Sequence, residues 1–236
     1  MRKLLVVVSI LAAACGGGSS SDGGGPTPVT GTIAGATFAP ADVKALVIQN
    51  PADAGNPPHS TTCSANGLTF AATGLALELT SYANACGDFA SDTCAFHKSA
   101  VTVTVLLALL DAAPPYDAPA IAPGSYAIGS TPAGTVGQGY IGYAQATVID
   151  PTCNGGNPTP LKSQSGTLRI DSVTASSIGG HLSVTFQNGA GTLAGDFTAP
   201  RCTESPNICT LVGNATAAYL SGQPTMLYCA MPGTCP

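Results

Sequence analysis

Asn188-Gly189 is the dipeptide that most restricts how this chain can fold. It separates residues 180–187 (GHLSVTFQ) from 190–198 (AGTLAGDFT). Asn-Gly between alternating runs is the strongest short-range signal for a two-residue type I′ hairpin. Such a turn leaves one register, in which Gln187 faces Ala190, Phe186 faces Gly191, Val184 faces Leu193, Leu182 faces Gly195 and Gly180 faces Phe197. The apolar residues of both strands then share one side, and a slip of one residue would put them on opposite faces. Phe186 and Phe197 would lie over glycines, an arrangement that stabilises paired strands. Leu168 and Ile170 on the preceding strand extend the same sheet.

The rest of the chain reads in the same way, as short β-prone runs punctuated by Gly, Pro and Asn, with no convincing helical period. Strands are predicted over residues 29–38, 43–49, 74–82, 101–110, 124–129 and 139–150. In 74–82, Leu75, Leu77 and Leu79 share a core face while Ala76, Glu78 and Thr80 share a wet one. The run VTVTVLLALL over 101–110 is apolar on both faces and predicts a central, doubly covered strand. Residues 50–62 and 154–160 read as loops, and the Pro-rich stretch near 112–123 as the place for any internal boundary. The predicted class is all-β: an antiparallel β-sandwich of about ten strands stabilised by disulfides, with a closed β-barrel as the alternative.

The N-terminus predicts a compartment. Arg2 and Lys3 precede an apolar run over residues 4–11, and Ala12-Ala13-Ala14 places small residues before Cys15. That is the order of a secretory signal, and the run is too short to span a bilayer. Ending in Leu11-Ala-Ala-Ala-Cys15, the segment resembles the lipobox of bacterial lipoproteins, with the leucine one position further from the cysteine than is usual. The resemblance implies that residues 1–14 are removed and that the Cys15 thiol carries a diacylglyceryl group, with palmitate as the natural label. Residues 16–28 (GGGSSSDGGGPTP) form a tether with almost nothing to bury. Its thirteen residues give a root-mean-square reach of about 20 Å. The β domain then occupies residues 29–236. Its final hairpin, ending GTLAGDFTAPRC, is loosely similar to β-rich lipoproteins of Gram-negative bacteria, a resemblance that carries no catalytic residues.

Charge and cysteine content agree with export. Loss of Arg2 and Lys3 leaves five basic residues against twelve acidic, a net charge of about −7, which disfavours nucleic acid and anionic headgroups as partners. Charged residues make up 8% of the chain against roughly 25% in ordinary soluble domains, so Thr, Ser, Asn, Gln and Gly must cover the exterior. Setting Cys15 aside leaves eight cysteines: Cys63, Cys86, Cys94, Cys153, Cys202, Cys209, Cys229 and Cys235. An even number in an oxidising compartment predicts disulfides, and parity favours Cys15 as the anchor. Local bridges are the expectation, Cys86 to Cys94 and Cys229 to Cys235, with Cys202 or Cys209 tying the last hairpin to the tail.

Catalytic chemistry is not readable. There is no G-x-S-x-G, and the histidines are His59, His97 and His181. His59 and His181 read as surface residues, the latter on the wet face opposite Leu182. Cys86, Cys94 and His97 with Cys63 lack the spacing of a zinc knuckle. Asn84, Asp88 and Asp92, and likewise Asn50, Asp53 and Asn56, lack the order of a calcium loop and are explained by turn chemistry. Glu78 and Glu204 are the sole glutamates, with nothing to make them converge. Tyr140 and Tyr143 point to opposite faces of their strand and there is no Trp, which weakens a sugar platform. Asn214-Ala-Thr216 matches a glycosylation sequon, uninformative behind a bacterial signal. No metal or cofactor is expected. The expected role is a lipid-anchored envelope protein that is structural or binds a ligand through loops rather than an enzyme, localised at the outer membrane with the lipid as its membrane partner, and a hydrolase is the remaining alternative. A hydrolase would need a deep pocket lined by Glu78, or an Asp-His pair.

Overall fold

The computed structural model describes residues 27–48, 61–65, 68–90, 97–111, 120–129, 140–149, 151 and 161–203. The strands are β1 (Thr30–Ile33), β2 (Ala36–Phe38), β3 (Asp42–Ile48), β4 (Thr61–Ala65), β5 (Leu68–Thr80), β6 (Val101–Asp111), β7 (Gly124–Gly129), β8 (Tyr140–Val148), β9 (Leu161–Val173), β10 (Ser177–Phe186) and β11 (Gly191–Pro200). One short helix, α1 (Ala85–Ala90), interrupts them. The strands form one sheet in the order β2-β1-β11-β10-β9-β7-β8-β6-β5-β3, with β4 also paired to β5. The chain is all-β, as expected, but the antiparallel sandwich gives way to a single curled, mixed sheet in the shape of a half-barrel. Strands from both sides of residues 112–123 belong to it, since β6 pairs with β8 from Val101↔Val148 to Leu109↔Tyr140.

The hairpin at Asn188-Gly189 forms in the expected register, with Phe186↔Gly191, Val184↔Leu193, Leu182↔Gly195 and Gly180↔Phe197 opposed. Asn188 (φ 58°) and Gly189 (φ 68°) both take the positive φ that a type I′ turn demands, and the Ala190 N–H closes it on the Gln187 carbonyl at 3.0 Å. Gly191 (φ 140°) has a second role. A β-carbon there would run into the Thr32 carbonyl of β1, so glycine lets β1 pair closely along β11.

Residues 29–38 are a hairpin rather than one strand. Ala34 (φ 51°) and Gly35 (φ 80°) turn the chain, and β1 pairs with β2 through Gly31↔Phe38 and Ile33↔Ala36. The mixed character of the sheet arises at β7, which is parallel to β8 at Gly129↔Tyr143 and antiparallel to β9 from Gly124↔Ile170 to Gly129↔Ser165. Beyond the end of β7, β9 pairs directly with β8. Ser163, fully buried, stands at this fork: its hydroxyl donates to the Gly129 carbonyl at 2.6 Å and accepts the Ala144 N–H at 3.1 Å.

The inner face of the curl holds the core. Leu75, Leu77 and Leu79 of β5, Val103, Val105 and Leu107 of β6, and Ala144 and Ala146 of β8 meet Leu168, Ile170, Leu182, Val184, Phe186 and Leu193 there. The edge strand β3 is drawn to the end of β11 by a parallel bridge, Ala45↔Arg201, and by the Cys202 N–H donating to the Ala45 carbonyl at 2.9 Å. A disulfide between Cys86 and Cys202 joins α1 to the same point across 116 residues. The local Cys86 to Cys94 bridge is thereby replaced by a long-range one.

The outer face of β5 departs from expectation. Ala76, Glu78 and Thr80 are 0%, 4% and 0% exposed instead of wet. Leu46, Thr104, Leu106, Ala108, Gln145 and Thr147 on β3, β6 and β8 are buried on the same side.

Candidate functional site

Two polar constellations lie on the outer side of the sheet. One crosses β9, β10 and β11, where Arg169, His181 and Asp196 are register partners. His181 Nδ1 lies 2.8 Å from Asp196 Oδ1, and both side chains are more than a third exposed. The second Asp196 oxygen accepts the Thr27 N–H at 3.1 Å, while the Asp196 N–H donates to the Thr27 carbonyl at 2.6 Å. Hydrogen bonding from His181 holds the Asp196 carboxyl below its ordinary value, with help from the Thr27 N–H and the nearby charges. Arg169 spends its guanidinium on Asp171, in two hydrogen bonds at 2.8 and 3.1 Å.

This is the Asp-His pair that a hydrolase would require, but its setting serves attachment. Among the described residues, the ring of His181 hydrogen-bonds to Asp196 alone. A general base acts on a nucleophile within hydrogen-bond reach, and no hydroxyl or thiol occupies that position among the described residues. What Asp196 does instead is clasp the last residues of the tether, Thr27 and Pro28, onto β11.

The second constellation lies on the buried outer face. The pairing of β3, β5, β6, β8 and β9 puts Lys44, Glu78, Thr104, Gln145 and Lys162 in one transverse row. Lys44 is engaged by Asp42 at 3.1 Å. Gln145 is 4% exposed, and its side-chain carbonyl Oε1 is buried without a hydrogen-bond partner. Beside it Tyr143 is half-buried, and loss of water around the phenol pushes its pKa up to about 12. Tyr140, on the inner side as alternation requires, stacks edge-on against Tyr126 with ring centroids 5.1 Å apart and accepts the Ala127 N–H through its hydroxyl at 3.0 Å.

The metal-site readings find no assembly. Cys86 is consumed by Cys202, and His97 stacks on Tyr82 at 3.8 Å between centroids. Among the described residues no group of three His, Cys, Asp or Glu side chains is placed to hold a metal ion. Asn84 (φ 73°) leads into α1, where Asp42 accepts the N–H groups of Asn84 and Ala85 at 3.0 and 3.1 Å. Burial raises the Asp42 carboxyl, but the Ala85 N–H, the Lys44 ammonium and the Asn84 N–H outweigh it and hold the group below its ordinary value.

Cys15, His59, Asn50, Asp53, Asn56, Asp92, Cys94, Cys153, Glu204, Cys209, Asn214, Cys229 and Cys235 lie outside the described residues, as do the loops at 50–60 and 154–160. Thr61 and Thr62, read as loop, belong to β4. Cys63 pairs through its backbone with Phe70 in the β4–β5 hairpin. Sequence reasoning missed Asp42, Gln145, Lys162 and Asp196. Only Asp196 had a signal: the register that opposes Leu182 and Gly195 also opposes His181 and Asp196.

No helix among the described residues is long and apolar enough to cross a membrane. Compared with known protein families, curated proteins and solved structures, the chain matches none.

Proposed function

We propose that the chain is a lipid-anchored protein of the bacterial cell envelope, localised at the outer membrane, in which Cys15 carries the lipid and the β domain serves a structural or binding role. The observation that carries this reading is the order of its N-terminus: positive residues, a short apolar run, Ala12-Ala13-Ala14-Cys15, a Gly/Ser tether, and then a β domain. Two acyl chains make such an anchor stable where one is marginal. The Cys86–Cys202 disulfide supports the reading, because structural disulfides persist in oxidising compartments. Docking of Thr27 and Pro28 against Asp196 gives the tether a defined root on the sheet. Radiolabelled palmitate is expected to enter the wild-type chain and not Cys15→Ala, and label that survives the substitution sinks the assignment. A ligand-binding role is the second reading, favoured by the unpartnered buried carbonyl of Gln145.

A further inference from the structure

Strands β3 and β11 meet across a seam that is thinly stitched. Each is firmly held on its other side, β3 by β5 from Asp42↔Thr80 to Ile48↔Gly74 and β11 by β10 from Ser177↔Pro200 to Phe186↔Gly191. Between the two, the described residues show the Ala45↔Arg201 bridge and the Cys202 N–H donating to the Ala45 carbonyl at 2.9 Å. Ala45 is fully buried, so the seam closes over the core. Adjacent amides go to opposite sides of it. The Arg201 N–H donates to the Ser176 carbonyl at 2.8 Å and its guanidinium to the Thr174 carbonyl at 3.1 Å, both in the turn from β9 to β10, whereas the Cys202 N–H crosses to β3. A lone exposed-edge hydrogen bond contributes little net stability, because both groups bond water once parted.

The strongest link across the seam is covalent. Asp42 of β3 holds the start of α1 by accepting the Asn84 and Ala85 N–H groups, and the next residue, Cys86, is bonded to Cys202. Both cysteines are half-exposed, within reach of a thiol in solution. We propose that Cys86–Cys202 is a redox latch, which keeps the seam between β3 and β11 shut while the bridge is formed and lets it open when both sulfurs are thiols. Opening takes a dithiol: its thiolate attacks one sulfur to form a mixed disulfide, and its second thiolate displaces that sulfur. Two electrons and two protons pass to the cysteines, and the dithiol leaves as a cyclic disulfide. Closure is the reverse exchange with a disulfide donor. In a chain exported from a reducing to an oxidising compartment, the latch ties closure of the sheet to arrival. It does not depend on Cys15, so palmitate labelling and the experiment below fail separately.

Residue-resolved hydrogen exchange on the full chain tests the latch, because it reads local opening separately from global unfolding. In the oxidised wild type, the amides of Arg201 and Cys202 are both expected to be protected. In Cys86→Ala/Cys202→Ala the amide at position 202 should exchange as fast as in an unfolded chain, while Arg201 and Leu193 stay at least about a hundredfold slower. Wild type treated with dithiothreitol should show the same selective loss, and a disulfide donor should restore protection. The proposal is overturned if position 202 stays as slow as Arg201 in the double variant, since the seam then holds without its latch. It is equally overturned if Arg201 or Leu193 loses protection together with position 202, since the bridge then supports the fold at large.

Discussion

Strands β10 and β11 bury one face and leave the other to water, whereas β5, β6 and β8 bury both. In the first pair, Leu182, Val184, Phe186, Leu193 and Phe197 are buried while Ser183, Thr185, Thr192 and Thr198 are exposed. In the second group, residues 73–80, 103–108 and 144–147 are buried without a break, polar side chains included. The same Thr/Val/Leu composition therefore supports two regimes. A polar residue that faces water contributes solubility, while one that faces cover must find a partner or destabilise the fold.

Substitutions can break this comparison. Thr104→Asp puts a carboxylate at a site 3% exposed and is expected to cost on the order of 4 kcal/mol. Ser183→Asp, on the wet face of β10, should stay within about 0.5 kcal/mol. Denaturant titration of both variants measures the gap, and equal losses would erase the distinction between the two regions. The bridge between β11 and α1 comes next. Removing it as Cys86→Ala/Cys202→Ala frees a loop of 116 residues and should cost about 3 kcal/mol, with the midpoint falling and the slope rising, because the unfolded chain without the cross-link exposes more surface. At the tip of the one-sided hairpin, Asn188→Ala loses a residue tolerant of φ 58° and should cost about 1 kcal/mol.

Acid sharpens the comparison by a smaller amount. The folded pKa of Asp42 and that of Asp196 both lie below the ordinary carboxylate value. Each therefore contributes stability that is present above the unfolded pKa of about 4 and is lost as pH falls through the folded pKa. Melting temperature should decline below about pH 4. Asp42→Asn should flatten part of that decline. Asp196→Asn should flatten less of it, because water screens the exposed His181 pair. A larger effect for Asp196 would place the acid-sensitive contact in the hairpin and not at α1.

The two regions also differ in how far they could be read from residues alone. Asn188-Gly189 encodes a turn and a register within a few positions, so the pairing from Gly180↔Phe197 to Phe186↔Gly191 is legible in the residues themselves. His181 facing Asp196 was contained in that register. Ala34-Gly35 carries a weaker turn signal, so the hairpin of β1 and β2 looks like one strand in the sequence. For β5, alternation of Leu75, Leu77 and Leu79 located the inner face, but Ala76, Glu78 and Thr80 resemble a wet face until their cover is known. Gln145 and Lys162 are distant in sequence and polar, and nothing local marks them as neighbours.

The sequence alone determines an all-β chain with one hairpin of defined register, because turn chemistry and period-2 alternation act over a few residues, and it sets the expectation of an export signal ending at Cys15. Only the tertiary structure decided that the strands curl into one mixed sheet, that Cys86 pairs with Cys202, and that Glu78, Thr104 and Gln145 are buried. Those outcomes depend on contacts between segments far apart in the chain. The free energy of such a contact depends on what covers each face, and alternation within one strand does not record that.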